Sequence, residues 1–511
     1  MSEGLDVTAS VASDLATELW NYRKALGDSG MSTLEYVEQL SLLLFLKIAK
    51  EIRDASFDDN PSGGDAARAW NTLVTKRGDE LERQYRSVLG ELAKSVGTTV
   101  GTVFAKSQNR ITEPATLEKL IIDLIGGRQW GSLGTEVNGD IFEGLLAKSV
   151  GENPEAGNFL TPRPLIETIV DVMRPQPTDT IFDPACGSGG FLIAAYEYLL
   201  MNHRELMTNE QLSKLNIGTI QGVEVLERRA RLAAMNMLLH GIGRVDGPAL
   251  VDVRDVLATE PGHRPSLVMV NPPFGNSSSV PGSDGSAEPE GKSYDRIGFI
   301  STPNKQLNFV QHVMSLLSIN GRAAVVVPDN VLFEGGAGER IRRRLLRSFD
   351  VHTLLRLPKG IFFKAGVRAN VLFFDKRSPR ADGKPLTDRL WVYDFRTDQH
   401  FTRKTKPLRR ADLDDFVSSF RAGEEMEKRG RSERFRDFTF DELVARDNVS
   451  FDITWLADNA DVESRLSPGM IAREILDELQ AACEEFSVIA DALDDAVQGP
   501  VDPGQTEFVT E

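Results

Sequence analysis

The spacing of hydrophobic residues changes near residue 155. Before that point, apolar residues recur at steps of three and four, which predicts an amphipathic helix. They are Leu34, Val37, Leu40, Leu44 and Ile48. A second apolar helix is expected over residues 111–125, where Gly126 and Gly127 end it. This pattern predicts a helical domain over residues 1–145, in which we find no residues suited to catalysis.

Beyond residue 155, short β-rich segments alternate with helical segments. Strands are predicted over residues 180–182, 219–225, 266–270, 322–327, 351–357 and 367–374. Helices are expected after the first two strands, ending near Leu200 and His240. Such alternation is typical of α/β proteins, in which helices cover both faces of a largely parallel sheet. The sequence therefore predicts an α/β domain over residues 146–400.

The remaining segments are less regular. Residues 276–291 are rich in Ser, Gly and Pro and should form a mobile loop. Residues 401–466 are expected to form an extension of undefined structure. From residue 467 a narrow apolar seam predicts a helical tail that packs on another helix, in its own domain or in a partner. The seam consists of Ile471, Ile475, Leu479, Ala482, Phe486, Ile489 and Leu493, and the residues from Gln498 should be disordered.

Charge and cysteine content narrow the class of protein. The 511 residues include 59 basic and 76 acidic side chains, a net charge of −17. Basic residues cluster only locally, at 342–347, 403–410 and 428–431. Two distant cysteines, Cys186 and Cys483, argue against disulfides and against a cysteine-based metal site. The cysteine content therefore leads us to expect no metal. No segment has the roughly 20 apolar residues of a membrane span, and we see no export leader, so we expect a cytoplasmic protein.

The first chemical signal is a glycine-rich turn between a predicted strand and a predicted helix. It reads Asp183, Pro184, Ala185, Cys186, Gly187, Ser188, Gly189, Gly190 and Phe191. Open α/β sheets bind ligands at this edge, and glycine lets the backbone approach a ligand closely. The turn lacks the Lys-Ser/Thr pair of a phosphate-binding loop, which disfavours nucleotide hydrolysis. By itself, the pattern also fits a simple tight turn.

An acidic residue ends the next predicted strand. Glu224 can accept hydrogen bonds from both hydroxyls of a ribose, as in dinucleotide-binding folds. Further along, Asp255 is a candidate to bind the adenine amine of a cofactor, and Asp252 is the alternative. The glycine-rich turn followed by an acidic strand end therefore indicates a ligand that contains a nucleoside.

The third signal is the run Asn271, Pro272, Pro273 and Phe274, which follows a buried strand. Proline has no backbone N–H, so the carbonyl groups and the Asn271 amide make an acceptor-rich rim. The exocyclic amine of a base is a poor nucleophile because its lone pair is delocalised into the ring. The Asn271 side-chain oxygen and the Pro272 backbone oxygen can hold its hydrogens and direct the lone pair at a sulfonium methyl. Phe274 can stack on a base swung out of the duplex.

In this order, the motifs resemble those of one family, the modification subunits of Type I restriction–modification systems, which are adenine-N6 DNA methyltransferases. The resemblance covers nearly the whole chain and includes residues 222–227, 231–241, 325–344 and 357–363. It implies a Rossmann-like, S-adenosyl-L-methionine-dependent methyltransferase domain between a helical N-terminal domain and a helical C-terminal tail.

The resemblance also assigns residues to the site. The segment expected over the cofactor consists of Asn158, Phe159, Leu160, Thr161, Pro162 and Arg163. Cofactor contacts are implied for Ser188, Gly189, Gly190 and Glu224, and we expect Asp183, Pro184, Ala185 and Gly187 to join them. The aromatic residue on the other side of a flipped base corresponds to Phe362, with Phe363 as the alternative, and either could instead belong to the core.

Partners follow from the same resemblance. No long segment after the catalytic domain resembles a target-recognition domain, and in this family a separate specificity subunit reads the sequence of double-stranded DNA. Two copies of the chain per specificity subunit, and association with a restriction subunit, are implied. This division of labour explains how an acidic chain can act on DNA, and the tail from residue 467 is a candidate dock for the specificity subunit.

Two other functions were weighed. Asn-Pro-Pro-aromatic runs also occur in enzymes that methylate glutamine side chains or RNA, but the length and the matches outside the motif count against them. A non-catalytic scaffold that binds cofactor has no support, because Asn271 and Phe274 are intact. A fused restriction enzyme is set aside, since neither a phosphate-binding loop nor a nuclease cluster is evident.

Overall fold

The computed structural model describes residues 2–23, 31–55, 64–111, 113–152, 160–259, 262, 264–274, 298–362, 368–399, 401–402, 406–424 and 426–456. Several sequence predictions fall outside these residues: Asn158, Phe159, Phe363, Arg403, Lys404, Cys483, the loop at 276–291 and the tail from 467. Within the described ranges, no helix is long and apolar enough to cross a membrane, and no three metal-ligating side chains cluster.

The first part of the chain is helical, as predicted. Its helices are α1 (Ser2–Tyr22), α2 (Thr33–Ala55), α3 (Gly64–Leu73), α4 (Gly78–Leu92), α5 (Thr99–Phe104), α6 (Pro114–Lys119), which continues as a π-helix over Leu120–Ile125, and α7 (Thr135–Glu152). The apolar stripe is confirmed in α2, where Val37, Leu40 and Leu44 are buried. The helix expected over 111–125 begins only at Pro114, because proline suits the first turn of a helix.

The second part alternates strands and helices. Its elements are α8 (Arg163–Met173), β1 (Ile181–Asp183), α9 (Gly190–His203), α10 (Asn209–Leu215), β2 (Ile220–Glu224), α11 (Glu227–Leu239), β3 (Val251–Val253), β4 (Leu267–Val270), α12 (Lys305–Leu316), β5 (Arg322–Pro328), α13 (Asp329–Phe333), α14 (Ala337–Ser348), β6 (Asp350–Arg356), β7 (Ala369–Asp375), β8 (Arg389–Asp394), α15 (Asp414–Phe420), β9 (Phe435–Thr439) and α16 (Phe440–Ala445). The six predicted strands are confirmed, whereas β3, β8 and β9 were not predicted.

Within the described residues, nine strands form one sheet in the order β3-β2-β1-β4-β5-β7-β6-β8-β9. The five strands from β3 to β5 are parallel, as expected. In contrast, β7 runs antiparallel to both β5 and β6, and β9 is antiparallel to β8. The strand order reverses between β1 and β4, and open α/β sheets bind ligands beside such a reversal.

Buried hydrophobic residues cover both faces of the sheet. Neighbouring residues of β4 point into different clusters, with Met269 on one face and Val268 on the other. A third cluster lies among the first helices and includes Leu232 and Met235 of α11, so the helical part packs directly on a helix of the sheet. The domain boundaries at 145, 400 and 466 stay predictions, and the sheet itself continues past residue 400 to β9.

Candidate active site

Three strand ends bring the sequence motifs together at the carboxyl edge of the sheet. β1 ends at Asp183, β2 at Glu224, and β4 at Val270, directly before Asn271. Because β1 lies between β2 and β4 and is parallel to both, these three ends are adjacent. The glycine-rich turn, the acidic strand end and the Asn-Pro-Pro-Phe run therefore border the same crevice.

The glycine-rich turn connects β1 to α9 through two residues with positive φ, Gly187 at 55° and Gly189 at 84°. The backbone N–H of Gly189 donates to the carbonyl oxygen of Cys186 at 2.7 Å, which closes the turn. At Gly190, where α9 begins, a Cβ atom would lie 2.8 Å from Cδ1 of Ile166 in α8. Glycine is therefore needed for conformation at the first two positions and for close packing at the third.

Glu224 is buried behind this turn and holds it in place. Its carboxylate accepts hydrogen bonds from the backbone N–H groups of Gly187 at 3.2 Å and Leu226 at 3.0 Å. Burial raises the pKa of Glu224, and Arg229 together with the backbone donors opposes this rise only in part. Carboxylate oxygens have several lone pairs, so Glu224 can still accept hydrogen bonds from a ligand.

The two candidate aspartates near β3 differ in position. Asp252 lies within the strand, is exposed, and has Arg254 at 3.6 Å. Asp255 follows the carboxyl end of β3, on the same sheet edge as Glu224, and its Oδ1 accepts from the backbone N–H of Leu257 at 3.0 Å. This position favours Asp255, whose contact with a cofactor stays a prediction.

A small cavity lies beside the turn and opens to solvent, with about 270 Å³ of free space when its open side is included. Its lining consists of Thr161, Ile166, Asp183, Ala185, Cys186, Ser188, Gly190, Phe191 and Asn271. Burial, with help from the nearby Glu224, raises the pKa of Asp183 to about 8, although a hydrogen bond from the Ala185 N–H at 3.0 Å opposes the rise. Burial also raises the pKa of the Cys186 thiol. A ligand that carries positive charge would favour the ionised form of Asp183.

The Asn271 side chain reaches this cavity with its two ends in different environments. Its Nδ2 donates to Oγ1 of Thr161 at 2.9 Å, whereas its Oδ1 is buried and has no hydrogen-bond partner among the residues that the structure describes. Two residues later, the carbonyl oxygen of Pro273 accepts from Nε2 of Gln306 in α12 at 3.1 Å. The turn after β4 is thus held at two points and leaves one amide oxygen unpartnered.

Phe274 and Phe362 are in contact at the same edge. Their ring centroids are 5.9 Å apart, and the rings meet edge to face at 82°. Phe362 is only 6% exposed and belongs to the hydrophobic cluster that Phe274 packs against. The structure therefore brings the two predicted stacking residues together, while Phe362 also fills the core.

The segment before α8 contributes Thr161 to the cavity, whereas Arg163 points elsewhere. The Arg163 guanidinium donates to Glu167 at 3.1 Å and to Glu143 of α7 at 3.2 Å, and it also contacts Glu197 of α9. Burial acts to lower the pKa of Arg163, but these carboxylates outweigh it and raise the pKa. Arg163 thus ties three helices together, and its predicted contact with a cofactor stays a prediction. Of its neighbours, Pro162 caps α8 and Leu160 is half-buried.

Asn236 and Gln306 support the site although neither is predicted from the sequence. Asn236 is buried in α11, and its Nδ2 donates to the carbonyl oxygen of Ser188 at 3.0 Å, which supports the glycine-rich turn. A polar residue inside the apolar run of α11 was the available signal. Gln306 supports the turn after β4, and we find no sequence signal that marks it.

The strand order, the crevice at the strand reversal and the polar turn after β4 define a Rossmann-like methyltransferase. The profile of the N-6 DNA methylase family matches residues 134–454. The methylase subunit of the Type I restriction enzyme StySPI from Salmonella potsdam is 34% identical, with 93% of this chain and 94% of that protein covered.

Two solved structures agree with this assignment. The methylase subunit of EcoKI from Escherichia coli (strain K12) is 35% identical in sequence, with 93% of this chain and 94% of that protein covered. The crystal structure of the EcoKI subunit covers 95% of this chain and 97% of that chain at 31% identity, with a TM-score of 0.51. A structure from work on complex assembly in the type I R-M system covers 94% of this chain and 98% of that chain at 25% identity, with a TM-score of 0.68. The chain belongs to the N-6 DNA methylase family, among the methylase subunits of Type I restriction enzymes, which are adenine-specific DNA methyltransferases.

Proposed function

We propose that this chain transfers the methyl group of S-adenosyl-L-methionine to the N6 amine of an adenine flipped out of double-stranded DNA. The observation that carries the proposal is the amide of Asn271, a residue that lines the cavity; within the described part of the chain its buried oxygen has no hydrogen-bond partner. A buried polar atom without a partner costs free energy, and such atoms are rare in native structures. An incoming amine would supply the missing donor.

Asn271 and Pro272 would act on this amine. Oδ1 of Asn271 and the carbonyl oxygen of Pro272 would accept its two hydrogens, which fixes the nitrogen and turns its lone pair away from the ring. When bound, the cofactor supplies an electrophilic methyl group on a sulfonium. Because the acceptors position the nitrogen, much of the rate would come from orientation, and no strong base is needed before attack.

Phe274 and Phe362 would stack on the two faces of the flipped base. Their rings now touch edge to face, so a base cannot lie between them until one ring moves. Phe362 is packed in the core, whereas Phe274 is only partly buried. We therefore expect Phe274 to be the ring that moves.

The cavity residues fit the proposed cofactor. A cationic ligand would favour the ionised form of the buried Asp183 carboxyl, and Glu224, at the neighbouring strand end, can accept hydrogen bonds from ribose hydroxyls. The glycines at 187, 189 and 190 remove side chains from the turn, which lets a ligand approach its backbone. Asp255 is proposed to bind the adenine amine of the cofactor.

The proposed partners are double-stranded DNA, a specificity subunit and a restriction subunit, in the cytoplasm, with two copies of this chain per specificity subunit. A net charge of −17 opposes binding to DNA phosphates by the isolated chain, so a separate specificity subunit would supply much of the DNA contact. The tail over 467–511, outside the described residues, is the proposed dock for that subunit.

The test is transfer of tritiated methyl from S-adenosylmethionine to unmodified genomic DNA, with and without the co-expressed specificity subunit, followed by nucleoside analysis. Label should appear in N6-methyladenine and only with the partner. Asn271→Ala should lower the rate at least about 100-fold, the scale for losing one oriented polar group, while cofactor affinity stays within a few-fold. Asn202→Ala, at an exposed position of α9, is the matched control.

Each result separates the alternatives. Near-normal turnover by Asn271→Ala would refute the mechanism. Label without the partner would mean that this chain reads DNA by itself. Label in RNA or in glutamine instead of DNA, or no transfer at all, would favour the alternative substrates or a scaffold.

A further inference from the structure

The Asn271 amide must present the correct end to an amine. Its oxygen can accept a hydrogen from the amine, whereas its NH2 group can only donate. If the amide were rotated by half a turn, the NH2 group would face the amine hydrogens and repel them. The proposed chemistry therefore requires a group that holds Nδ2 away from the base.

Thr161 is placed to be that group. Its Oγ1 accepts from Nδ2 of Asn271 at 2.9 Å, and no described residue bonds to the buried Oδ1. The hydroxyl accepts in this arrangement, so its own hydrogen points away from Asn271. Thr161 and Asn271 line the same cavity although 110 residues separate them in the chain.

The position of Thr161 is itself supported from three helices. Two residues after it, Arg163 contacts Glu143 of α7, Glu167 of α8 and Glu197 of α9. These carboxylates come from the helical first part and from both helices that flank β1. They keep the start of α8, and with it Thr161, against the end of β4.

We infer that Thr161 is a positioning residue that orients the Asn271 amide for the methyl acceptor, with Arg163 as the anchor of its segment. The inference rests on the proposed role of Asn271. It differs from the sequence expectation, in which both residues contact the cofactor. A positioning role predicts an effect on the rate of transfer and little effect on cofactor binding.

The test compares three variants in the complex of this chain with its specificity subunit. Thr161→Val keeps the shape but removes the acceptor, and Thr161→Ser keeps the hydroxyl. Thr168→Val removes a buried hydroxyl of α8 that donates to the carbonyl oxygen of Pro164 in its own helix. With DNA and cofactor saturating, Thr161→Val should lower the single-turnover rate about 10- to 100-fold. Thr161→Ser should recover most of the rate, and Thr168→Val should match the unaltered protein.

Calorimetry with S-adenosylmethionine gives the second readout, in which all three variants should bind within about two-fold of the unaltered protein. Weaker cofactor binding by Thr161→Val with an unchanged rate would overturn the inference and restore a cofactor contact. A normal rate for Thr161→Val, when Asn271→Ala is inactive, would overturn the inference and leave the proposed function standing. An active Asn271→Ala variant would refute both the proposed role of Asn271 and the inference about Thr161.

Discussion

The carboxyl group of Asp183 should make the affinity for a cationic cofactor depend on pH. Burial raises the pKa of Asp183 to about 8, so most molecules of the free protein hold it protonated at pH 7. A positive charge that enters the cavity stabilises the ionised carboxylate and lowers its pKa. Binding of S-adenosylmethionine, with its sulfonium, should therefore release a proton.

The size of the effect follows from the pKa. At pH 7, about one unit below it, roughly one-tenth of the free protein has Asp183 ionised, and at pH 9 roughly nine-tenths. If the bound state holds the carboxylate ionised, affinity should rise about tenfold between these values, or about 1.4 kcal/mol. The sign is set by the raised pKa: binding needs the ionised form, so affinity grows as the pH rises and levels off above the pKa.

Calorimetric titrations at pH 7, 8 and 9, in buffers of different ionisation enthalpy, measure the affinity and the released proton together. The control is Asp183→Asn, whose amide oxygen can still accept from the Ala185 N–H but which cannot ionise. The variant should lose the proton release and the part of the pH dependence that belongs to Asp183. The same pH dependence in both proteins would refute the reasoning.

Two other predictions follow from the same sheet edge. Glu224→Ala should weaken cofactor binding at least about tenfold, because it removes the proposed ribose acceptor and the bond to the Gly187 N–H. An unchanged dissociation constant by calorimetry would refute the ribose-binding role of Glu224. Arg396→Met should lower the free energy of unfolding by about 2 kcal/mol at pH 7, because Arg396 binds both carboxylate oxygens of half-buried Asp329 at 2.7 and 3.0 Å. Burial acts to raise the pKa of Asp329, but Arg396 outweighs it and lowers that pKa. The loss of unfolding free energy in Arg396→Met should therefore shrink below about pH 4, where Asp329 becomes protonated. Urea unfolding from pH 7 to pH 3 measures this loss, and a loss that stays constant with pH would contradict the pairing.

Hydrophobic periodicity predicts an element but not its direction in a sheet. The strand expected over 367–374 is present as β7, yet it lies antiparallel between β5 and β6. β9 was missed because it is short and alternates a buried Phe435 with an exposed Arg436. β8 was missed although its apolar run from Leu390 to Tyr393 is a strand signal. These strands are stabilised by pairing with each other and with β6, which no local pattern reveals.

For the candidate site, the sequence predicted which residues lie at the ends of the strands. The order of the motifs placed Asp183, Glu224 and Asn271 at one sheet edge, because parallel strands end together. The directions of side chains were beyond prediction. Nothing in the segment before α8 distinguishes Thr161, which reaches Asn271, from Arg163, which turns to carboxylates of three helices. Such contacts depend on packing between distant segments, as does the bond from Asn236 to the glycine-rich turn.

Three arginines of the basic clusters are tied into the fold, although other members such as Arg344 and Arg347 are exposed. Arg342 is 2% exposed and donates to backbone carbonyl oxygens, including that of Val331 at 2.8 Å. Arg429 is also buried, and Arg410 pairs with Asp171. A guanidinium used in this way stabilises the fold and is not available for phosphates, so these clusters add less to DNA binding than their charge suggests. Since phosphate contacts supply most non-specific affinity, the salt dependence of DNA binding should reflect the basic surface of the complex and only weakly that of this chain.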